Sequence, residues 1–357
     1  MSKKYLIIFV AFLIGLIGVI IIYSKVGVKD ILVQLQRLRF WQLGIVIGTS
    51  VAMMSLTTYR WGLFITDLNR KKLSWRSIIK ARLGEFFISY VTPIMYFGGE
   101  WVRAYVMNKE QNTSINLGLT SVFLDRIAEF VAACLFIFFG AVLLVATKSF
   151  IWGVLMLIIA IVIFLGLYLA VVLIGLDKIL SFLVNLLRLN KISYHSKDAG
   201  QTTLGERFVF LGSQVDSYFR QSRLKFIFSV FVSFLVLVIW LWQTRLIVNY
   251  LGFHLPWTKI FIIRIFITAS MFMPIPANLG SYEGAHLLAF KLFGLPPDSA
   301  MALSVINRFL DLVWLTTGVI LISRFLATFV ARIPQIISNL FSSHGQQASY
   351  RKIFRIF

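Results

Sequence analysis

The residues of this sequence best suited to chemistry are charged side chains standing in otherwise apolar stretches. Arg126 lies three residues before Glu129, and Arg308 three before Asp311. At that spacing each pair shares one helix face. An arginine so placed offers paired, permanently charged donors that suit a phosphate. The plainer reading is an ion pair that locks each helix into a bundle; the two coexist if a substrate competes for an arginine that is otherwise paired. Asp125, beside Arg126, is a further pairing carboxylate. Upstream of each pair lies a broken apolar segment, T-P-I-M-Y-F-G-G-E-W-V-R from Thr92 to Arg103 and M-P-I-P-A-N-L-G-S-Y-E-G from Met273 to Gly284. Pro93, Gly98, Gly99, Pro276 and Gly280 are the helix-breaking positions. Glu100 and Glu283 supply carboxylates that can order the breaks or meet a cationic or hydroxylated group. Arg103 is a phosphate donor on the reading that its nearest acid is engaged elsewhere, and a snorkelling interfacial arginine otherwise.

The two broken segments resemble each other, and so do their sequels, S-V-F-L-D-R-I-A-E from Ser121 and S-V-I-N-R-F-L-D from Ser304. Pro93 and Arg126 are 33 residues apart, Pro276 and Arg308 are 32; Glu100 and Arg126 are 26 apart, Glu283 and Arg308 are 25. Inverted repeats of broken helices, with polar groups meeting near the midplane, are a recurring plan for transporters.

The elements that must position these residues are apolar. Of 357 residues 59% are hydrophobic and 14% charged, with a mean hydropathy of +0.86. A soluble domain cannot cover that much apolar side chain, so the surplus faces lipid. Charge-free runs of spanning length occur at about 5–24, 40–59, 149–176 and 226–244, and two more, at 115–147 and 299–323, carry ionisable residues. With the segments at about 83–107 and 260–296 read as re-entrant hairpins, the expected architecture is all-α: about six spanning helices plus two hairpins in an inverted-repeat arrangement. The repeat units are 83–147 and 260–323 within an integral membrane domain of residues 1–330. A cytoplasmic loop at 177–225 is expected to form amphipathic helices, and 331–357 a basic tail.

The net charge of +21 follows from basic residues lying between the apolar runs, which argues against nucleic acid as a partner. With alternating spans and the N-terminus inside, 22 Lys and Arg fall on the cytoplasmic side against 7 outside, so both termini are expected in the cytoplasm of a cell (inner) membrane protein. Cys134 is the only cysteine, which excludes a disulfide within the chain, and the four histidines lack metal-ligand spacing; no metal or cofactor is expected. Trp41, Tyr59, Trp61 and Trp257 read as interface anchors.

At P-x6-G-E-x2-R from Pro93 to Arg103, L-D-R at Leu124–Arg126, P-x3-G-x2-E from Pro276 to Glu283 and N-R-x2-D at Asn307–Asp311, the chain resembles the lysylphosphatidylglycerol synthase transmembrane-region family over about residues 80–325. That resemblance implies a flippase-like, stand-alone membrane protein without the acyltransferase domain of the two-domain enzymes. Two departures stand out: Ile94-Met95 follow Pro93 where many members have glycine, and Asn278 precedes Leu279-Gly280 where another glycine often lies.

The function expected is therefore a translocase of lipids or lipid-linked head groups, with no catalytic residues, taking an anionic phospholipid or a polyprenyl-phosphate lipid in a polar groove between the hairpins. Arg103, Arg126 and Arg308 would hold the phosphate. A polyprenyl-phosphate-sugar-dependent glycosyltransferase is the enzymatic alternative, though the outside segments are short and 245–259 contains no acid. A non-transporting scaffold in envelope lipid or glycan biosynthesis is the third; homo-oligomers and envelope-biosynthesis partners are compatible with all three.

Overall fold

A computed structural model describes residues 16–91, 99–145, 193–196, 200–270, 273 and 275–341. Among these the chain is helical apart from one two-stranded hairpin. It divides into two units, one of residues 1–160 and 228–320 and the other of 161–227 and 321–357.

The first unit holds both repeats. Its helices are α1 (Leu16–Val26), α2 (Val28–Gln36), α3 (Phe40–Asn69), α4 (Trp75–Val91), α5 (Glu100–Gln111), α6 (Ile115–Val145), most of α8 (Arg223–Tyr250), α9 (Trp257–Ser270), α10 (Ser281–Leu292) and the first part of α11 (Pro297–Phe341). By length and composition α3, α8 and Pro297–Ser323 of α11 are apolar enough to cross a membrane, as a ~30 Å hydrocarbon core requires. The 31-residue α6 is as long but carries Asp125, Arg126 and Glu129. The expected span at 149–176 lies outside the described residues.

Short helices flank each break. At about 1.5 Å per residue the 17 residues of α4, 12 of α5, 14 of α9 and 12 of α10 each fall short of ~30 Å. In each repeat, then, two short helices precede one long helix.

Local signals set the ends. Gln42 accepts a hydrogen bond from the Arg39 amide (2.9 Å) at the start of α3, and Asn112 closes α5 in the left-handed region at φ 50°, a conformation asparagine tolerates. Pro297 opens α11, where a missing N–H costs nothing, and Asp298 accepts a bond from the Ser299 amide (2.7 Å).

The contacts also give each short pair a direction. The start of α4 meets the end of α5 through Gln111 to Ser77 (3.0 Å) and Lys80 to Glu110 (2.5 Å). The start of α9 meets the end of α10, where Lys259 lies 5.4 Å over the Phe293 ring. Late in α6, Phe136 packs on Phe261 of α9 (ring centroids 5.2 Å). Midway along α11, Gly318 runs so close to Leu83 and Phe87 of α4 that a Cβ would sit 2.5 Å from the Leu83 carbonyl. Each long helix thus runs past the first short helix of the other repeat, so the two pairs open toward opposite ends of the unit. α3 and α8 run antiparallel beside them, tied by Gln243 to Thr49 (2.9 Å) and Arg60 to Ser233 (2.7 Å).

Each repeat has its own apolar core, one around Trp61, Ile78, Val106 and Val122, the other around Ile247, Ile263, Phe290 and Leu303. Cys134 is buried with a free thiol. In the second unit, within the expected 177–225 loop, β1 (Ser193–Ser196) pairs antiparallel with β2 (Gly200–Thr203), Ser193 opposite Thr203, and leads into α7 (Leu204–Gln221). Val215 and Tyr218, three apart, are buried on α7. The hairpin is the departure, among the described residues, from an all-α chain. Helix α11 continues through Phe341, beyond the position 330 where the tail was expected to begin.

Candidate functional site

In the first repeat the charged side chains of α3, α4, α5 and α6 converge in one network. Arg103 donates to both oxygens of Glu85 (2.5 Å each) and to Asp125 (2.6 Å), a bidentate geometry that suits a guanidinium. Arg60 donates to the other Asp125 oxygen (2.6 Å) and to Glu129 (2.5 Å). Arg126 donates to Glu129 (2.7 Å), Glu85 (2.7 Å) and Glu100 (2.8 Å). Arg82 donates to Glu85 (2.6 Å) and stands 3.8 Å from Glu129. Four arginines and four carboxylates therefore balance. Burying so many charges is tolerable only because each is paired and hydrogen-bonded. Arg103, Arg60, Asp125 and Glu85 are fully buried, whereas the side chains of Arg126 (26%), Glu100 (22%) and Glu129 (29%) reach the surface.

The break before α5 fits the network closely. Gly99 donates from its amide to Ser89 (3.1 Å), and a Cβ there would strike the Glu85 carbonyl, so only glycine lets α5 start against α4. Glu100 then occupies the first turn of α5, where a carboxylate is favoured by the helix dipole. Pro93 and Gly98 lie outside the described residues.

The second repeat repeats the key contact. Glu283, in the first turn of α10, accepts from the Gly280 amide (2.8 Å) and from Arg308 of α11 (3.0 Å). In both repeats, then, the glutamate that opens the helix after the break pairs with the arginine of the long helix. Arg126 stands eleven residues after Ile115 and Arg308 eleven after Pro297, about 16 Å along each long helix.

Arg308 also holds the break itself. It donates to the carbonyls of Ala277 (2.7 Å) and Asn278 (3.2 Å), backbone acceptors released by the short 3₁₀ turn Pro276–Asn278 that need a partner away from water. Ala277 and Asn278 have φ of 53° and 49° and Gly280 79°. The asparagine found where glycine is common thus sits in a conformation it tolerates, which accounts for that departure. A further Arg308 bond goes to the Tyr90 hydroxyl of α4 (2.6 Å), and Tyr90 in turn bonds Asp311. The donors of Arg308 are thereby directed to Glu283, Tyr90 and the two carbonyls rather than to Asp311, despite the helical spacing, and Tyr90 joins one repeat to the other.

Of the residues singled out in the sequence, the structure brings Glu100, Arg103, Asp125, Arg126 and Glu129 into one network and Glu283, Arg308 and Asp311 into another. Glu100, the acid nearest Arg103 in the sequence, is engaged by Arg126 as expected, but Arg103 is itself held in a bidentate clasp with Glu85 and by Asp125. Trp61, expected as an interface anchor, is buried, donates to Ser121 (3.0 Å) and underlies Arg103 at 5.2 Å; Trp41, Tyr59 and Trp257 are exposed.

Arg60, Arg82, Glu85 and Tyr90 are members that the motif reading did not include. Arg60 and Arg82 counted as loop charges, and their removal from the tally leaves 20 against 7. A signal for Arg82 existed: it follows Trp75 by seven residues and precedes Arg126 by 44, as Arg264 follows Trp257 by seven and precedes Arg308 by 44. Arg264 is buried over the Trp240 ring at 2.9 Å.

Fold and site together define a helical membrane protein built on a duplicated unit of broken short helices and one long helix. The chain belongs to the lysylphosphatidylglycerol synthase transmembrane-region family, whose model matches residues 7–320. It is 25% identical over 310 residues to a UPF0104 membrane protein of Methanothermobacter thermautotrophicus, covering 84% of this chain and 87% of that protein.

Proposed function

We propose that the protein is a flippase-like translocase of lipids or lipid-linked head groups, with the two short-helix pairs acting as re-entrant hairpins that enter a cell membrane from opposite faces. The observation that carries this reading is the duplicated glutamate–arginine pair, Glu100 with Arg126 and Glu283 with Arg308, at matching depth in oppositely directed pairs. Ionised groups at mid-membrane are costly, about 2.5–3.5 kcal/mol each on insertion scales, and mark transport paths. A lipid phosphate would displace a carboxylate from Arg126, the most exposed arginine of the first network, while the acyl tails stay in the bilayer. Arg308 is the corresponding group of the second repeat, and Arg103 supports the first from within its buried clasp. The substrate is an anionic phospholipid or a polyprenyl-phosphate lipid. Orientation follows from the Lys and Arg bias, with both termini cytoplasmic.

A specific observation favours one other reading. Every arginine of the first network is already paired, as a scaffold without a transport path would have it. Reconstitution decides between the two. Purified protein in liposomes carrying fluorescent phosphatidylglycerol or a polyprenyl-phosphate analogue is expected to exchange label between leaflets, read by dithionite quenching. Arg126→Ala and Glu283→Gln, if correctly folded, are expected to abolish exchange. Absence of exchange of any lipid by the folded wild type would sink the translocase and leave the scaffold.

A further inference from the structure

The two repeats differ where they should match. Arg103 follows Glu100 by three residues, and His286 follows Glu283 by three. Asp125 precedes Arg126 as Asn307 precedes Arg308. In the first repeat these positions bond each other, Arg103 to Asp125 at 2.6 Å. In the second, His286 Nε2 and Asn307 Nδ2 are buried and, among the described residues, have no hydrogen-bond partner, and the same holds for Ser304 Oγ. Such atoms are rare in a finished fold and ask for an explanation.

Helix spacing places the three side chains on the loop side of the Glu283–Arg308 pair in the second repeat. His286 lies one turn beyond Glu283 along α10, and Ser304 one turn before Arg308 along α11. Because Leu292 leads through a short loop to Pro297, both steps go the same way from the Glu283–Arg308 pair. Asn307 is three residues from Ser304, on the same face. The hydrogen-bonding roles are complementary. His286 Nδ1 meets the Tyr282 carbonyl at 2.7 Å, which can only accept, so Nδ1 carries the proton and Nε2 of the neutral ring presents a lone pair. Asn307 Nδ2 donates; Ser304 does either. An acceptor beside a donor fits a group that has both, namely a hydroxyl.

We propose that His286, Ser304 and Asn307 form a hydroxyl-recognition subsite in the second repeat, which takes a glycerol- or sugar-type polyol while its phosphate lies on an arginine. This rests on the translocase reading for the polyol's being a lipid head group. The partnered first repeat would supply charge, and the unpartnered second repeat selectivity, because a buried site made for a hydroxyl is left unsatisfied by an analogue without one.

The test measures binding apart from transport. Purified full-length protein would be titrated with short-chain phosphatidylglycerol and with phosphatidylpropanol, which keeps the phosphate and three-carbon head but lacks both hydroxyls. Wild type is expected to bind phosphatidylglycerol at least about tenfold more tightly. Ser304→Ala and Asn307→Leu together should bring that ratio near one with phosphatidylpropanol affinity unchanged. Since neither Ser304 Oγ nor Asn307 Nδ2 has a partner to lose, the thermal stability of the double variant should not fall. Displacement by glycerol phosphate would make the free polyol phosphate the ligand; phosphatidylglycerol preference without displacement would make it the lipid. Equal affinity of wild type for both lipids, binding of neither, or a preference that survives the double variant would overturn the subsite. Leaflet exchange without preference would overturn it while leaving the translocase standing, and preference without exchange would do the reverse.

Discussion

In the first repeat the arginine of the long helix, Arg126, is one of four arginines that share four carboxylates; in the second its counterpart, Arg308, has Glu283, a tyrosine hydroxyl and two backbone carbonyls. The same glutamate–arginine contact is therefore supported in two ways. Around Arg126 the support is ionic and comes from side chains of α3 to α6. Around Arg308 it is largely backbone, and the arginine closes a turn with three residues at positive φ. The difference teaches that two matching glutamate–arginine contacts can be held by different surroundings: Glu85, Arg103 and Asp125 of the first repeat stand against Ile267, His286 and Asn307 of the second.

The contrast is easiest to break at Asp125. Asp125→Ala leaves Arg60 and Arg103 buried with one carboxylate fewer, a change that costs about 3–5 kcal/mol at buried pairs; a large fall in Tm of the detergent-solubilised protein is expected. An unchanged Tm would mean that the network does not hold the first repeat together.

Arg308→Lys probes the other support. An ammonium keeps the charge for Glu283 but cannot span both carbonyls and Tyr90 as the planar fork does. A loss of about 2–3 kcal/mol is expected from the charge-assisted bonds given up, with faster hydrogen exchange around residues 275–280 by mass spectrometry. Equal protection in the variant would show that the turn stands without the arginine.

Tyr90→Phe severs the bridge between the repeats. Removing a hydroxyl that accepts from Arg308 and donates to Asp311 should cost about 1–2 kcal/mol. A double-mutant cycle with Asp311→Asn sharpens it, since additive losses would deny the coupling.

The smallest effect has the opposite sign. Ala277→Gly relieves a left-handed alanine, worth about 1–2 kcal/mol, against about 0.4–1 kcal/mol of added chain entropy when unfolded. A Tm gain of a degree or two is expected, and a loss would mean that the methyl group packs.

Glu100, Arg126, Glu283 and Arg308 were legible as candidates because Pro, Gly and charge are conspicuous in an apolar chain and their spacing recurs, but helical spacing pointed to Arg126–Glu129 and Arg308–Asp311 rather than to the contacts across each break. Arg60 and Arg82 were not, because a basic residue at the end of an apolar run looks the same whether it points to water or inward. Glu85 lies outside the motifs, and nothing local ties it to Arg103, eighteen residues away across a break. Trp61 was misread for a related reason: a tryptophan near a helix end serves equally at a lipid interface or under a buried guanidinium.

By itself, then, the sequence determined that the chain is helical and membrane-embedded, and it singled out two similar broken segments with a glutamate and an arginine in each, without pairing Glu100 with Arg126 or Glu283 with Arg308. Hydrophobicity, helix-breaking residues and i,i+3 spacing are local properties, and local properties survive in a string of letters. Only the tertiary structure decided that Arg103 is enclosed by Glu85 and Asp125, that Tyr90 links the repeats, and that His286, Ser304 and Asn307 are left with unpartnered polar atoms. Those facts depend on which helices pack side by side and at what level, and hydrogen-bond satisfaction is a sum over neighbours that sequence distance does not reveal.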